Sequence, residues 1–121
     1  MTSAQIQRRR ENEQFLSQKE VQAFLYTIAA SEGTLDASGN IEYGRVVKGT
    51  VIRSPFNPSL AGKKNVVISD FSRHPQILVK VNDQGLQSTA AGFLQAILRT
   101  WTGAADVMGI TDFSPNSQRL V

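Results

Sequence analysis

An apolar stripe at helical spacing that runs into a glutamate and then a glycine is the strongest constraint in this sequence. Val21, Phe24, Leu25, Ile28 and Ala29 recur at i, i+3, i+4, i+7 and i+8, and Glu32 comes next on the same face. The spacing predicts an amphipathic helix from about Gln18 to Ser31, ended by Gly33 in a left-handed conformation. In that register Glu32 points toward apolar packing instead of water. Burial and the negative end of a helix dipole both disfavour an ionised carboxylate. A carboxylic acid kept neutral in this way can donate a proton, so Glu32 is the leading candidate for a general acid.

The remaining composition describes one small domain. The 121 residues are enough for a single hydrophobic core, and 40% hydrophobic with 19% charged residues reads as globular. No apolar run approaches the ~18 residues of a transmembrane helix. The N-terminus carries positive charge with no apolar segment behind it, which argues against a secretory signal. The absence of cysteine excludes disulfides and thiolate chemistry. With one histidine, His74, a histidine-based metal site is not expected, and neither is a cofactor. A net charge of +3 favours an anionic polymer but lacks the basic footprint of a nucleic-acid binder. Arg8, Arg9 and Arg10 are answered by Glu11 and Glu13 and read as a solvated helical face. Neither nucleic acid nor membrane is an expected partner.

Residues 1–20 are polar and read as a helical lead-in or a mobile arm; residues 21–121 form the domain proper. After the first stripe, short β-branched runs at Val46-Val47, Thr50 to Ile52, Val66 to Ile68 and Ile77 to Val81 predict strands. Pro55, Pro58 and Gly62 make Arg53 to Asn65 a surface loop. A second helix is predicted from Ser88 or Thr89, as N-cap, to about Trp101, with Leu94, Ile97, Leu98 and Trp101 on its buried stripe. A short helix from Ala104 to Met108 should stop at Gly109. Ser114 as N-cap and Pro115 at the first helical position open another. With under two turns before Val121, that last helix is expected to have almost nothing to bury and to leave both apolar stripes partly exposed. The order predicts an α+β fold in which a small β lobe flanks a mainly helical body across a cleft.

Several short motifs follow one another along this frame. They are Ser31-Glu32-Gly33-Thr34, Tyr43 to Gly49, Ser72-Arg73-His74-Pro75, Ser88 to Gln95 and Asp112 to Gln118. In order and spacing they resemble the phage-lambda-type endolysin family, lysozyme-like lytic transglycosylases that cut bacterial peptidoglycan, over about residues 21–121. The resemblance implies a lysozyme-like fold with Glu32 as the catalytic acid facing the sugar cleft. It implies substrate-binding roles for Gln95, Ser88 and Thr89, while Tyr43 and Phe71 are candidates for stacking on sugars. Hydrolysis would require a second carboxylate. Some relatives carry aspartate directly after the tyrosine matched by Tyr43, where this chain has Gly44; Asp36, Glu42 and Asp70 are the remaining candidates. The lack of an obvious partner for Glu32 favours the transglycosylase route, in which a substrate hydroxyl is the nucleophile.

Two further departures are visible. Phe93-Leu94 replaces a common Arg-Tyr pair, and Arg73 replaces the aspartate before His-Pro. The family continues beyond the Asp-Phe-Ser-Pro segment, so the C-terminal helical part is expected to be missing here. The leading expectation is a bacteriolytic enzyme of phage origin, acting from the host cytoplasm on the periplasmic cell wall, with peptidoglycan as its partner. The alternative is a tail or baseplate component of the virion that retains a lysozyme-like module with little or no activity.

Overall fold

The computed structural model describes residues 1–121. Helix α1 (Ser3–Leu16) opens on a capping box: Gln5 N–H donates to Thr2 Oγ1 at 3.1 Å, and Thr2 N–H donates to Gln5 Oε1 at 2.8 Å. The polar arm is therefore a helix. None of its residues is buried, and much of its docking is polar. Gln5 Nε2 donates to the Asp106 carbonyl at 2.8 Å and Asn12 Nδ2 to the Leu120 carbonyl at 2.6 Å.

Helix α2 (Lys19–Ser31) matches the predicted stripe in position but not in burial. Ala29 is its one buried residue, Val21, Leu25 and Ile28 are half-buried, and Phe24 is 63% exposed. Glu32 follows as the C-cap residue and is also exposed, so it does not point into apolar packing as the register predicted. The cause is the last turn: by Glu32 the chain is leaving the helix, and Gly33, at φ +71°, completes the exit.

Three antiparallel strands, β1 (Thr50–Arg53), β2 (Leu78–Lys80) and β3 (Gln87–Ser88), pair in the order β1-β2-β3. Val51 faces Val79, and Val79 faces Ser88 across the next pair. The runs around Val46 and Val67 make only single bridges, Arg45 with Val67 and Val46 with Ala91. Turns at Gly44 and at Asn65, with φ +52°, cut those runs short. Val46, Val51, Ile77 and Val79 form the core of this lobe.

The second predicted helix begins eight or nine residues later than its predicted N-cap, Ser88 or Thr89. Gly92 and Gln95 both take left-handed backbone, at φ +79° and +53°, and Ala91 and Ala96 exchange backbone hydrogen bonds at 3.1 and 3.0 Å. This tight reversal takes up the stretch expected to be helical. Helix α3 (Leu98–Val107) then runs unbroken through the segment predicted as a separate short helix and ends before Gly109. Its first N–H, on Leu98, donates to Thr89 Oγ1 at 3.1 Å, so Thr89 does cap a helix, but one that starts nine residues further on.

Helix α4 (Pro115–Leu120) starts as predicted, with Ser114 Oγ accepting from Ser117 N–H at 3.2 Å. It does not lie idle on the surface. Ser117, Gln118 and Leu120 are buried, and Leu120 joins Trp101, Ala105, Met108, Ile110, Phe113 and Ala91 in the larger core cluster. Trp101 stands edge-on to Phe113 at 4.7 Å between centroids. Gln118 stitches the assembly together: Nε2 donates to the carbonyls of Tyr43 and Phe113, and Oε1 accepts from Phe93 N–H.

Candidate active site

An open cleft of about 520 Å³ lies where the end of α2 meets the β lobe. Glu32 and Gly33 form its helical side; Arg45, Lys48, Ser88 and Gln95 supply polar groups, among Val47, Val81, Ala90 and Ile97. The backbone under these residues is well fixed. Val47 N–H donates to the Ala90 carbonyl at 2.9 Å, and Ser88 Oγ accepts from Ala90 N–H at 3.1 Å. Gln95 Nε2 donates to the carbonyls of Arg45, at 3.1 Å, and Gly92, at 2.8 Å, while its Oε1 takes no hydrogen bond within the protein. Arg45 is similarly committed: Nε donates to Glu42 Oε2 at 2.7 Å and Nη1 to the Asn65 carbonyl at 3.2 Å.

The structure thus brings Glu32, Ser88 and Gln95 to one cleft and leaves three other candidates outside its lining. Thr89 sits beside it with its hydroxyl engaged on α3. Tyr43 packs edge-on against the buried Phe93 at 5.2 Å. Phe71 packs against the larger core cluster, and its carbonyl accepts from Phe113 N–H at 2.7 Å. Neither ring is presented to the cleft as a stacking platform.

The proposed second carboxylates are also elsewhere. Asp36 Oδ1 accepts from Ser38 and Asn40 N–H at 2.9 Å each, closing its own turn. Glu42 is paired with Arg45. Asp70 lines a separate pocket with Phe56 and Arg73, and hydrogen bonds from the Ser72 side chain and backbone hold its carboxyl below the ordinary value. Glu32 is the only carboxylate lining the cleft. Gly44 shows why none stands after the tyrosine: a Cβ there would run into the carbonyl oxygen of Ile68, and the Ile68 N–H donates to the Gly44 carbonyl.

Arg45 and Lys48 are cleft residues that sequence reasoning passed over. The alternation around Val46, which is fully buried while Arg45 and Val47 line the cleft, was an available signal for Arg45; it gave none for Lys48, which strict alternation would put on the Val46 face. His74 has a structural place: it is buried, Nδ1 accepts from Gln76 N–H at 3.1 Å, and Nε2 therefore carries the proton shared with the Ala96 carbonyl at 2.9 Å. Burial pushes its pKa below 6.5, and the bond to Ala96 opposes that only in part.

Helices on one side of a cleft and a small antiparallel sheet on the other define a lysozyme-like fold. Bacteriophage lambda lysozyme complexed with a chitohexasaccharide superposes with a TM-score of 0.64 and 30% identity, over 84% of this chain and 57% of that one. A second structure of lysozyme from bacteriophage lambda gives 0.61 with the same identity and coverage. The family model described as Endolysin matches residues 22–121, and the endolysin of Escherichia phage lambda is 34% identical over 102 residues, covering 82% of this chain and 54% of that protein. The chain belongs to the endolysin family. It spans about half the length of these relatives, and α1 lies ahead of the matched segment.

Proposed function

We propose that this chain carries the sugar-binding cleft of a peptidoglycan-degrading phage endolysin that works as a lytic transglycosylase, with Glu32 as its acid and base. The observation that carries the reading is the single carboxylate at the cleft, on the residue that closes α2, with Ser88 and Gln95 facing the same space. The relatives are endolysins and lysozymes, which favours an enzyme over a virion component. Glu32 protonates the glycosidic oxygen between N-acetylmuramic acid and N-acetylglucosamine as the C1–O bond breaks. The resulting carboxylate takes the proton of the muramic C6 hydroxyl, whose oxygen closes on C1 to give a 1,6-anhydro ring. An internal hydroxyl is held at high effective concentration, so no second carboxylate is needed to activate water. Gln95 Oε1, free of internal partners, is placed to accept from a substrate N-acetyl amide.

Glu32→Gln should leave the fold intact by circular dichroism and lower wall clearing by at least ~10²-fold, since an amide donates no acidic proton. A folded Glu32→Gln protein that clears walls at near the unsubstituted rate would end the assignment. Mass spectrometry of the products should show 1,6-anhydromuramic ends; products heavier by one water would mean hydrolysis.

A further inference from the structure

The cleft wall holds two cations of different kinds. Arg45 is consumed by internal bonds to Glu42 and Asn65. Lys48 is exposed, lines the cleft with Glu32, Ser88 and Gln95, and makes no ion pair or hydrogen bond within the protein. Its backbone is nevertheless tightly held. On one side Val47 N–H is bonded to Ala90. On the other, Gly49 N–H donates to Asn65 Oδ1 at 3.1 Å and the Gly49 carbonyl accepts from Asn65 N–H at 3.0 Å. Gly49, at φ +144°, lies so close to the Lys80 carbonyl that a Cβ would collide with it. A free ammonium on a pinned wall is an arrangement suited to reading a ligand charge that arrives at one place along the cleft.

We infer that Lys48 is a specificity residue that recognises a carboxylate appended to alternate sugars of the bound glycan. This rests on the peptidoglycan reading above. Peptidoglycan and chitin-type chains share the β-1,4-linked N-acetylated backbone, and only the former carries carboxylates, on the lactyl group or on the peptide attached to it. Lys48 therefore separates two polymers that Ser88 and Gln95, which meet uncharged groups, do not separate. An exposed lysine–carboxylate contact is worth up to about a five-fold gain in affinity, and it fades as salt shortens the Debye length below ~8 Å.

The test measures binding in the Glu32→Gln background, which prevents turnover. Three probes are used: uncrosslinked glycan strands bearing stem peptides, the same strands with the peptides removed to leave lactyl carboxylates, and neutral chitohexasaccharide. Lys48→Gln should weaken binding of one or both anionic probes by up to about five-fold and leave the neutral probe unchanged. Lys48→Arg should restore the loss, and high salt should erase it. Whichever anionic probe responds identifies the source of the charge. If Lys48→Gln weakens all three probes equally or none of them, the inference fails while the peptidoglycan reading stands. If the Lys48-containing protein binds none of the probes, the functional reading fails and the inference with it.

Discussion

Helices α2 and α4 invert the usual relation between sequence pattern and burial. α2 has five apolar residues at ideal helical spacing and buries only Ala29. α4 has six residues and buries three, two of them polar. The difference lies in what each helix meets. α4 closes over Trp101 and Phe113, and Gln118 ties it to three other peptide groups. α2 packs beside α1, a helix with no buried residue, and much of its stripe stays in contact with solvent. Periodicity identifies the face a helix can bury, and a partner decides whether it does so.

Breaking the well-buried side of this comparison should have the largest effect. Phe113→Ala removes a ring that is 1% exposed and contacts both Trp101 and His74, so it should cost about 3–5 kcal/mol in urea unfolding. A cost under about 1 kcal/mol would mean that the cluster is loosely packed. Gln118→Leu comes next. It strands the Phe93 N–H and the carbonyls of Tyr43 and Phe113, two of these bonds lying in fully buried surroundings, and should cost about 2–3 kcal/mol. Gln118→Glu should recover less than the wild type, because it keeps an acceptor for Phe93 but loses both donations.

His74 sharpens the comparison through pH. Its pKa is depressed in the folded protein by burial, so below the ordinary value of 6.5 the unfolded chain takes up a proton that the folded chain resists. Stability from this group is present above that pH and is lost as pH falls toward the folded value. Urea midpoints should therefore drop on moving from pH ~7.5 to ~5.5, a window above most carboxylate titrations. The less stable His74→Gln protein should show a flatter slope across the same window. An equal slope in both proteins would assign the effect to other groups. The smallest change is expected at α2: Phe24→Ala should alter stability by no more than about 0.5 kcal/mol. A cost near that of Phe113→Ala would show that the stripe is covered in solution, by a partner or a further segment.

Much was legible from local chemistry. The extent of α2 and its glycine stop, the strands at Thr50 and Leu78, the Ser114-Pro115 helix start and the burial of Trp101 all follow from spacing, β-branching, capping and ring size. The motif order was enough to indicate the family. Features that depend on distant contacts were not legible. The tight reversal at Gly92 and Gln95 overrides an apolar stripe that reads as helix. Val46 is buried without joining a regular strand. Tyr43 and Phe71 look like sugar platforms in sequence, yet their rings are drawn toward Phe93 and the helical core.

Sequence alone determined the span of α2, the positions of β1 and β2 and the start of α4, because caps, glycines and β-branched runs act over a few residues; it did not place the start of α3. It also marked Glu32, because the residue lies on a recognisable helix end within a recognisable motif. Only the tertiary structure decided which faces are covered, that Glu32 is exposed, and that Glu32 has no second carboxylate beside it. Only the fold brings Lys48 into the same cleft with its ammonium free. Those outcomes depend on residues tens of positions apart meeting in space, and on hydrogen bonds such as Gly49 with Asn65 and Gln118 with Tyr43 that no local pattern encodes.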